Sequence, residues 1–259
     1  MTAPRYAVGI DLGTTHCAAS YVDLEASEGE RAVQHILAVP QLTSPGAVEE
    51  LPLLPSFLYL PHATELAPGD LTLPWAEQHG FAVGELARAR GALTPIRLVS
   101  SAKSWLSHAG VDRRDAILPT DAPEEVERIS PLQASIRYLE HFRDAWNYKH
   151  PDAPLDRQEV TITIPASFDP AARELTVEAA QTAGYHQAIL LEEPQSALYS
   201  WIQGTGGEWR KQVEPGDVIL VIDVGGGTTI TINGTNADDE ITVVGNDPER
   251  IQEAFGDVM

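Results

Sequence analysis

The stretch Val8-Gly9-Ile10-Asp11-Leu12-Gly13-Thr14-Thr15 decides how this chain is read. An apolar, partly β-branched run ends in a carboxylate, and a glycine and two hydroxyls follow. The run is a strand, and the glycine permits a tight turn at its end. Such a turn aims backbone N–H groups and Thr hydroxyls at phosphate oxygens, while the carboxylate faces a hydrated Mg²⁺. Asp-x-Gly also closes ordinary hairpins, so one copy is weak. The pattern returns as Val221-Ile222-Asp223-Val224-Gly225-Gly226-Gly227-Thr228-Thr229. Two copies predict a duplicated phosphate clamp, one in each half of a two-lobed nucleotide site.

The composition narrows the class. A chain of 259 residues with 43% hydrophobic residues and five Trp buries a substantial core in one large or two modest domains. Its formal charge, 17 − 38 = −21, repels nucleic-acid phosphate and anionic membrane surfaces, which argues against both as partners. The single cysteine, Cys17, excludes an internal disulfide and suits a reducing compartment. No apolar run reaches the length of a membrane span, and no basic-then-apolar signal region precedes Asp11, so a cytoplasmic protein is expected. The eight His show no zinc-ligand spacing. His16 and Cys17 adjoin each other, but no third group for nucleophilic catalysis can be named.

Outward from the first clamp, 16–22 reads as the second strand of a hairpin, with a polar far turn at 25–30. Prolines crowd 40–74, which disfavours helix and predicts short edge strands such as Ser56-Phe57-Leu58-Tyr59-Leu60. This looks like an inserted lobe. Helix follows the Phe81–Ala87 segment, and a short helix over 100–107 carries Lys103. Ser130-Pro131 is a hydroxyl cap followed by Pro at the first helical position. Leu132, Ile136, Leu139, Phe142 and Trp146 then form one apolar stripe. Val160–Ile164 is a strand stopped by Pro165. Asp169-Pro170 opens an Ala-rich helix that ends at Gly184. A strand over 188–191, a helix from Glu192-Glu193-Pro194 to about Tyr199, a loop over 204–215 and a buried strand over 218–222 complete the pattern. Alternating strands and helices make an α/β protein with a mixed sheet.

With these segments in place, the sequence resembles the N-terminal ATPase domain of the seventy-kilodalton heat-shock (DnaK-type) chaperone family, over roughly its first nine-tenths. The matching segments are Ile10-Asp11-Leu12-Gly13-Thr14-Thr15, Val83-Gly84-Glu85, Ile164-Pro165-Ala166-Ser167-Phe168, Glu193-Pro194 and Asp223-Val224-Gly225-Gly226-Gly227-Thr228. The resemblance implies an actin-like, ribonuclease-H-like fold: a mixed five-stranded sheet with flanking helices, the first lobe complete and the second partial. Residues 1–200 would form the first lobe, with an inserted subdomain at about 40–127, and 201–259 the start of the second. ATP or ADP with Mg²⁺ would lie in the cleft.

The resemblance also implies roles. Asp11 and Asp223 would hold Mg²⁺ through its waters. Gly13, Thr14, Thr15, Gly225, Gly226, Gly227 and Thr228 would cradle phosphates. Lys103 would approach the γ-phosphate, Glu193 would position the attacking water, and Pro165 and Arg173 would relay nucleotide state to a substrate domain. Unfolded client proteins and co-chaperones would be the partners. Read without the family, Lys103 is a solvated helix charge, Glu193 a helix-start carboxylate, Arg173 a surface residue and Pro165 a strand end.

The pattern breaks at Ile230, where the family places a second aspartate. Beyond it the match fades. Asn236, Asp238 and Asp239 lie in a turn-rich acidic stretch that lacks a full calcium loop. The glycine-rich segment that holds adenosine and the peptide-binding domain are not found, so a truncated or divergent copy is expected, with little turnover. Two other functions remain open: a small-molecule kinase of the same superfamily, and a non-catalytic interaction module retaining the fold.

Overall fold

The computed structural model describes residues 3–26, 32–76, 80–214, 216, 217, 219 and 221. The chain divides into two compact units, 1–190 and 191–259. The second clamp from Ile222 on, Ile230, positions 218, 220 and 222 of the predicted strand and most of the far turn over 25–30 lie outside the described residues.

The first unit is built on β1 (Tyr6–Leu12) and β2 (His16–Asp23), an antiparallel hairpin in which Leu12 pairs with Cys17 across the turn. Short strands follow: β3 (His35–Ile36), β4 (Val39–Ser44), β5 (Ala47–Leu51), β6 (Leu54–Pro55), β7 (Leu58–Tyr59) and β8 (Ala82–Val83). Next come α1 (Glu85–Leu93), β9 (Leu98–Val99), α2 (Ala102–Ser107) and α3 (Pro131–Lys149). β10 (Glu159–Ile164), α4 (Pro170–Thr182) and β11 (Ile189–Glu192) lead into α5 (Glu193–Gly204). The main sheet runs β11-β10-β1-β2-β3, with β6 added to β2. It is mixed, because β10 lies parallel to β1 while β2 lies antiparallel to it. β4 and β5 form a hairpin, and β8-β7-β9 form a small separate sheet.

Why these segments fold so is visible in the sequence. β1 alternates Tyr6, Val8 and Ile10 inward, and β10 alternates Val160, Ile162 and Ile164 in the same way. Val8, Ile10, Ile162 and Ile164 are at most 3% exposed, as the strand patterns predict. They share one core with Leu139, Phe142 and Trp146 of α3 and Leu175 and Ala179 of α4. Both long helices start as their cap-then-Pro signals require. The Ser130 hydroxyl accepts from Gln133 N at 3.0 Å, and the Asp169 carboxylate accepts from Ala172 N at 2.7 Å. After α4, Gly184 takes φ +96°, the left-handed stop that glycine tolerates.

Three expectations change. The main sheet has six strands rather than five, because the short β6 pairs with β2. The strand expected over Ser56–Leu60 is broken: β6 ends at Pro55, and Ser56 and Phe57 leave the ladder before β7. Ser56 turns instead to the β1–β2 turn, as described below. The helix after Glu193 runs past Tyr199 to Gly204, because nothing between those residues breaks it. The Gly84 of the Val83-Gly84-Glu85 match has a packing reason. Its φ is +84°, and a Cβ there would lie 2.5 Å from Gln41 Oε1, which accepts from Glu85 N to start α1.

Candidate functional site

The first clamp occupies one end of the β1–β2 hairpin. Asp11 is exposed near the end of β1, and Thr163 stands opposite it in the β10 register. The Thr163 hydroxyl donates to Asp11 Oδ1 at 2.7 Å, which fixes the carboxylate. Gly13 makes the turn possible. A Cβ on it would sit 2.0 Å from the His16 carbonyl oxygen, so no side chain fits there. Thr14 is half-buried and Thr15 exposed, both beside the strand end.

Lys103 arrives from α2. The backbone enters that helix through Ser101, whose φ of +55° is unusual outside glycine. Lys103 is half-buried and lines a cavity of about 20 Å³ together with Gly13, Cys17, Ser56, Tyr138 and Thr163. That space holds about one water molecule. The Cys17 thiol is buried beneath the turn, and burial pushes its pKa up to about 12. The Ser56 hydroxyl and the Lys103 cation oppose that shift, and the Asp11 carboxylate adds to it. Gly13, Lys103 and Thr163 thus line one small space beneath the turn, and Thr163 ties that space to the exposed Asp11.

The far end of α2 is tied down by Arg113. Its guanidinium donates to the Ser107 and His108 carbonyls at 3.4 and 3.3 Å and pairs bidentately with Asp169 at 2.9 and 2.6 Å. The same Asp169 caps α4, so one residue joins the end of the Lys103 helix to the start of α4. The pairing holds the Asp169 carboxyl down at about 2, with help from Ala172 N–H. Arg173, half-buried on α4, donates to the Ala166 and Phe168 carbonyls at 3.4 and 3.2 Å and so braces the loop that follows Pro165.

The structure thus places Asp11, Gly13, Thr14 and Thr15 at one strand end and turn, brings Lys103 to the cavity that Gly13 also lines, and separately joins Arg173 to the Pro165 loop. Glu193 is the first residue of α5 in the second unit, half-buried beside its proline. Asp223, Gly225, Gly226, Gly227 and Thr228 lie outside the described residues. Among the described residues, no group of three or more His, Cys, Asp or Glu is placed to hold a metal ion. No described helix is long and apolar enough to cross a membrane. Sequence reasoning missed Thr163, Ser56, Tyr138 and Arg113. Thr163 alone had a local signal, as the last polar position of β10 before Pro165.

No family model matches the chain. Curated proteins do. Chaperone protein HscA of Escherichia fergusonii is 31% identical over 233 residues, covering 86% of this chain and 32% of that protein. Its counterpart from Cronobacter sakazakii is 30% identical over 242 residues, and that from Photorhabdus laumondii 31% over 236, with the same shares covered. The chain spans about a third of the length of these relatives.

Proposed function

We propose that this chain, which is related to the seventy-kilodalton heat-shock chaperones, binds Mg²⁺-ATP at the β1–β2 turn and hydrolyses it slowly as part of an actin-like ATPase fold. One observation carries the reading. Lys103 lines one small cavity with Gly13 of the turn and with Thr163, which holds Asp11, although these residues come from distant segments of the chain. The residues suit the ligand. The turn excludes any side chain at Gly13, which leaves its backbone open to close approach. A single exposed carboxylate suits Mg²⁺, which keeps most of its waters.

ATP would supply the γ-phosphoryl group, whose transfer to water gains most from positioning and charge stabilisation. The turn amides and the Thr14 and Thr15 hydroxyls would hold phosphate oxygens, with Gly225, Gly226, Gly227 and Thr228 as the opposite cradle. Asp11 and Asp223 would accept from metal-bound waters. Lys103 would stabilise charge on the transferred group, and Glu193 would orient the attacking water. Arg173, through its grip on the loop after Pro165, would carry nucleotide state outward to client-protein binding. Co-chaperones and unfolded clients are the proposed partners, in a reducing cytoplasm that suits a lone buried thiol.

The test is calorimetric titration of the chain with Mg²⁺-ATP, beside Asp11→Asn. Saturable binding that weakens in the variant supports the reading. Equal binding by both, or none by the parent chain, would leave Asp11 a turn residue and favour an interaction module that keeps the fold without nucleotide.

A further inference from the structure

We propose that Ser56 is a positioning residue that aims two backbone amides of the β1–β2 turn, those of Thr14 and His16, at a bound phosphate. The inference rests on the nucleotide reading of that turn. Ser56 is 3% exposed and lies 43 residues from Gly13 in sequence. Its hydroxyl donates to the Gly13 carbonyl at 2.7 Å, and its backbone N–H donates to the Thr15 carbonyl at 2.9 Å. Ser56 is itself held: its own carbonyl accepts from the buried Tyr138 hydroxyl of α3 at 3.0 Å. The turn is therefore tied at two points to an anchor that is fixed in turn to the core helix.

The consequence follows from peptide geometry. The only cis peptide among the described residues is Leu118–Pro119, so the turn peptides are trans. In a planar trans peptide the N–H points opposite to the C=O. Holding the Gly13 carbonyl toward Ser56 turns the Thr14 N–H away from it, and holding the Thr15 carbonyl does the same for the His16 N–H. Ser56 thus uses inward carbonyls to set outward amides, and outward amides are what an anion meets. Cys17 cannot replace it, since its Sγ is 3.9 Å from the Gly13 carbonyl and a thiol is a weak donor. The thiol instead lies 3.2 Å from the Ser56 hydroxyl oxygen, whose own proton is committed to Gly13.

Amide resonances of the nitrogen-15-labelled full chain, followed through a Mg²⁺-ATP titration, test this directly. In the parent chain the Thr14 and His16 amides should move most. Ser56→Ala should shrink both shifts and weaken affinity about three- to tenfold, as expected for one lost hydrogen bond, while Ser56→Thr, which keeps the hydroxyl, restores both. If Ser56→Ala fails to fold, the parent titration still decides: shifts carried by the Gly13 and Thr15 amides, with Thr14 and His16 still, overturn the proposal. Parental affinity and shifts in a folded Ser56→Ala overturn it too. Should no amide of the parent chain respond, the nucleotide reading fails and this inference falls with it.

Discussion

Thr163 holds Asp11 from directly across the parallel β1–β10 pair, with its hydroxyl 2.7 Å from Oδ1. The register makes the contact possible, because paired positions on neighbouring strands present their side chains to the same face. The carboxylate that the sequence singles out is thus oriented by a residue 152 positions away.

Thr163→Val keeps the shape and removes the hydroxyl. It should weaken Mg²⁺-ATP binding by about 1 kcal/mol, or roughly fivefold, the typical net value of one hydrogen bond. Asp11→Asn should cost more, since it removes the charge itself. Titrations at several Mg²⁺ concentrations check both, and the difference between variants should narrow as Mg²⁺ saturates.

Gly13→Ala places a methyl group where the His16 carbonyl oxygen already stands. The turn must open, at a cost of about 1–3 kcal/mol in stability, as for other overpacked sites. Urea unfolding should show that loss, and calorimetry should show Mg²⁺-ATP binding abolished. An unchanged urea midpoint would mean that the turn relaxes freely.

Lys103→Ala should leave the fold intact, because the side chain is only half-buried on a short helix. Phosphate release should fall to background, which also makes this variant the control for contaminating ATPase. Ile230→Asp restores the carboxylate that the family pattern carries there and should raise phosphate release in a Lys103-dependent manner. Equal release from the parent chain and Lys103→Ala would assign all turnover to contaminants.

The Arg113–Asp169 pair makes stability depend on acid. The guanidinium holds the Asp169 carboxyl at about 2, below its usual 3.8. A depressed folded-state value gives stability that is present above the unfolded value and lost as pH falls through the folded one. Asp169→Asn keeps the α4 cap but not the charge. Between about pH 5 and about pH 2 the parent chain should therefore lose more of its denaturant midpoint than Asp169→Asn does. Parallel losses in the two would show that the pair adds nothing beyond the cap.

What could be read from the sequence divides along a physical line. Ser130-Pro131, Asp169-Pro170 and the Gly184 stop are decided by neighbours one turn away, and all three appear as expected. The alternation of β1 and β10 was equally local, as was the Asp-Gly-Thr turn. Ser56 was not legible. Following Pro55 in a run of apolar residues, it reads as one more strand position. Its true partners, Gly13, Thr15 and Tyr138, are chosen by the packing of three distant segments. Arg113 looks like a surface charge in a loop, yet it is buried by its bonds to α2 and Asp169. Residues proposed for the chemistry can be named from short patterns. Those that hold them in place depend on contacts across 40 to 150 positions.

That distance has a consequence during synthesis. β1 can close its hairpin with β2 as soon as both have left the ribosome, since only a short turn separates them. Its other neighbour, β10, emerges about 150 residues later, which at about 5–20 residues per second is a wait of roughly 8 to 30 seconds. Until then one edge of β1 is unpaired and Asp11 has no Thr163 to orient it. The nascent chain therefore carries an incomplete candidate site for that interval, and β1 stays open to wrong partners for as long.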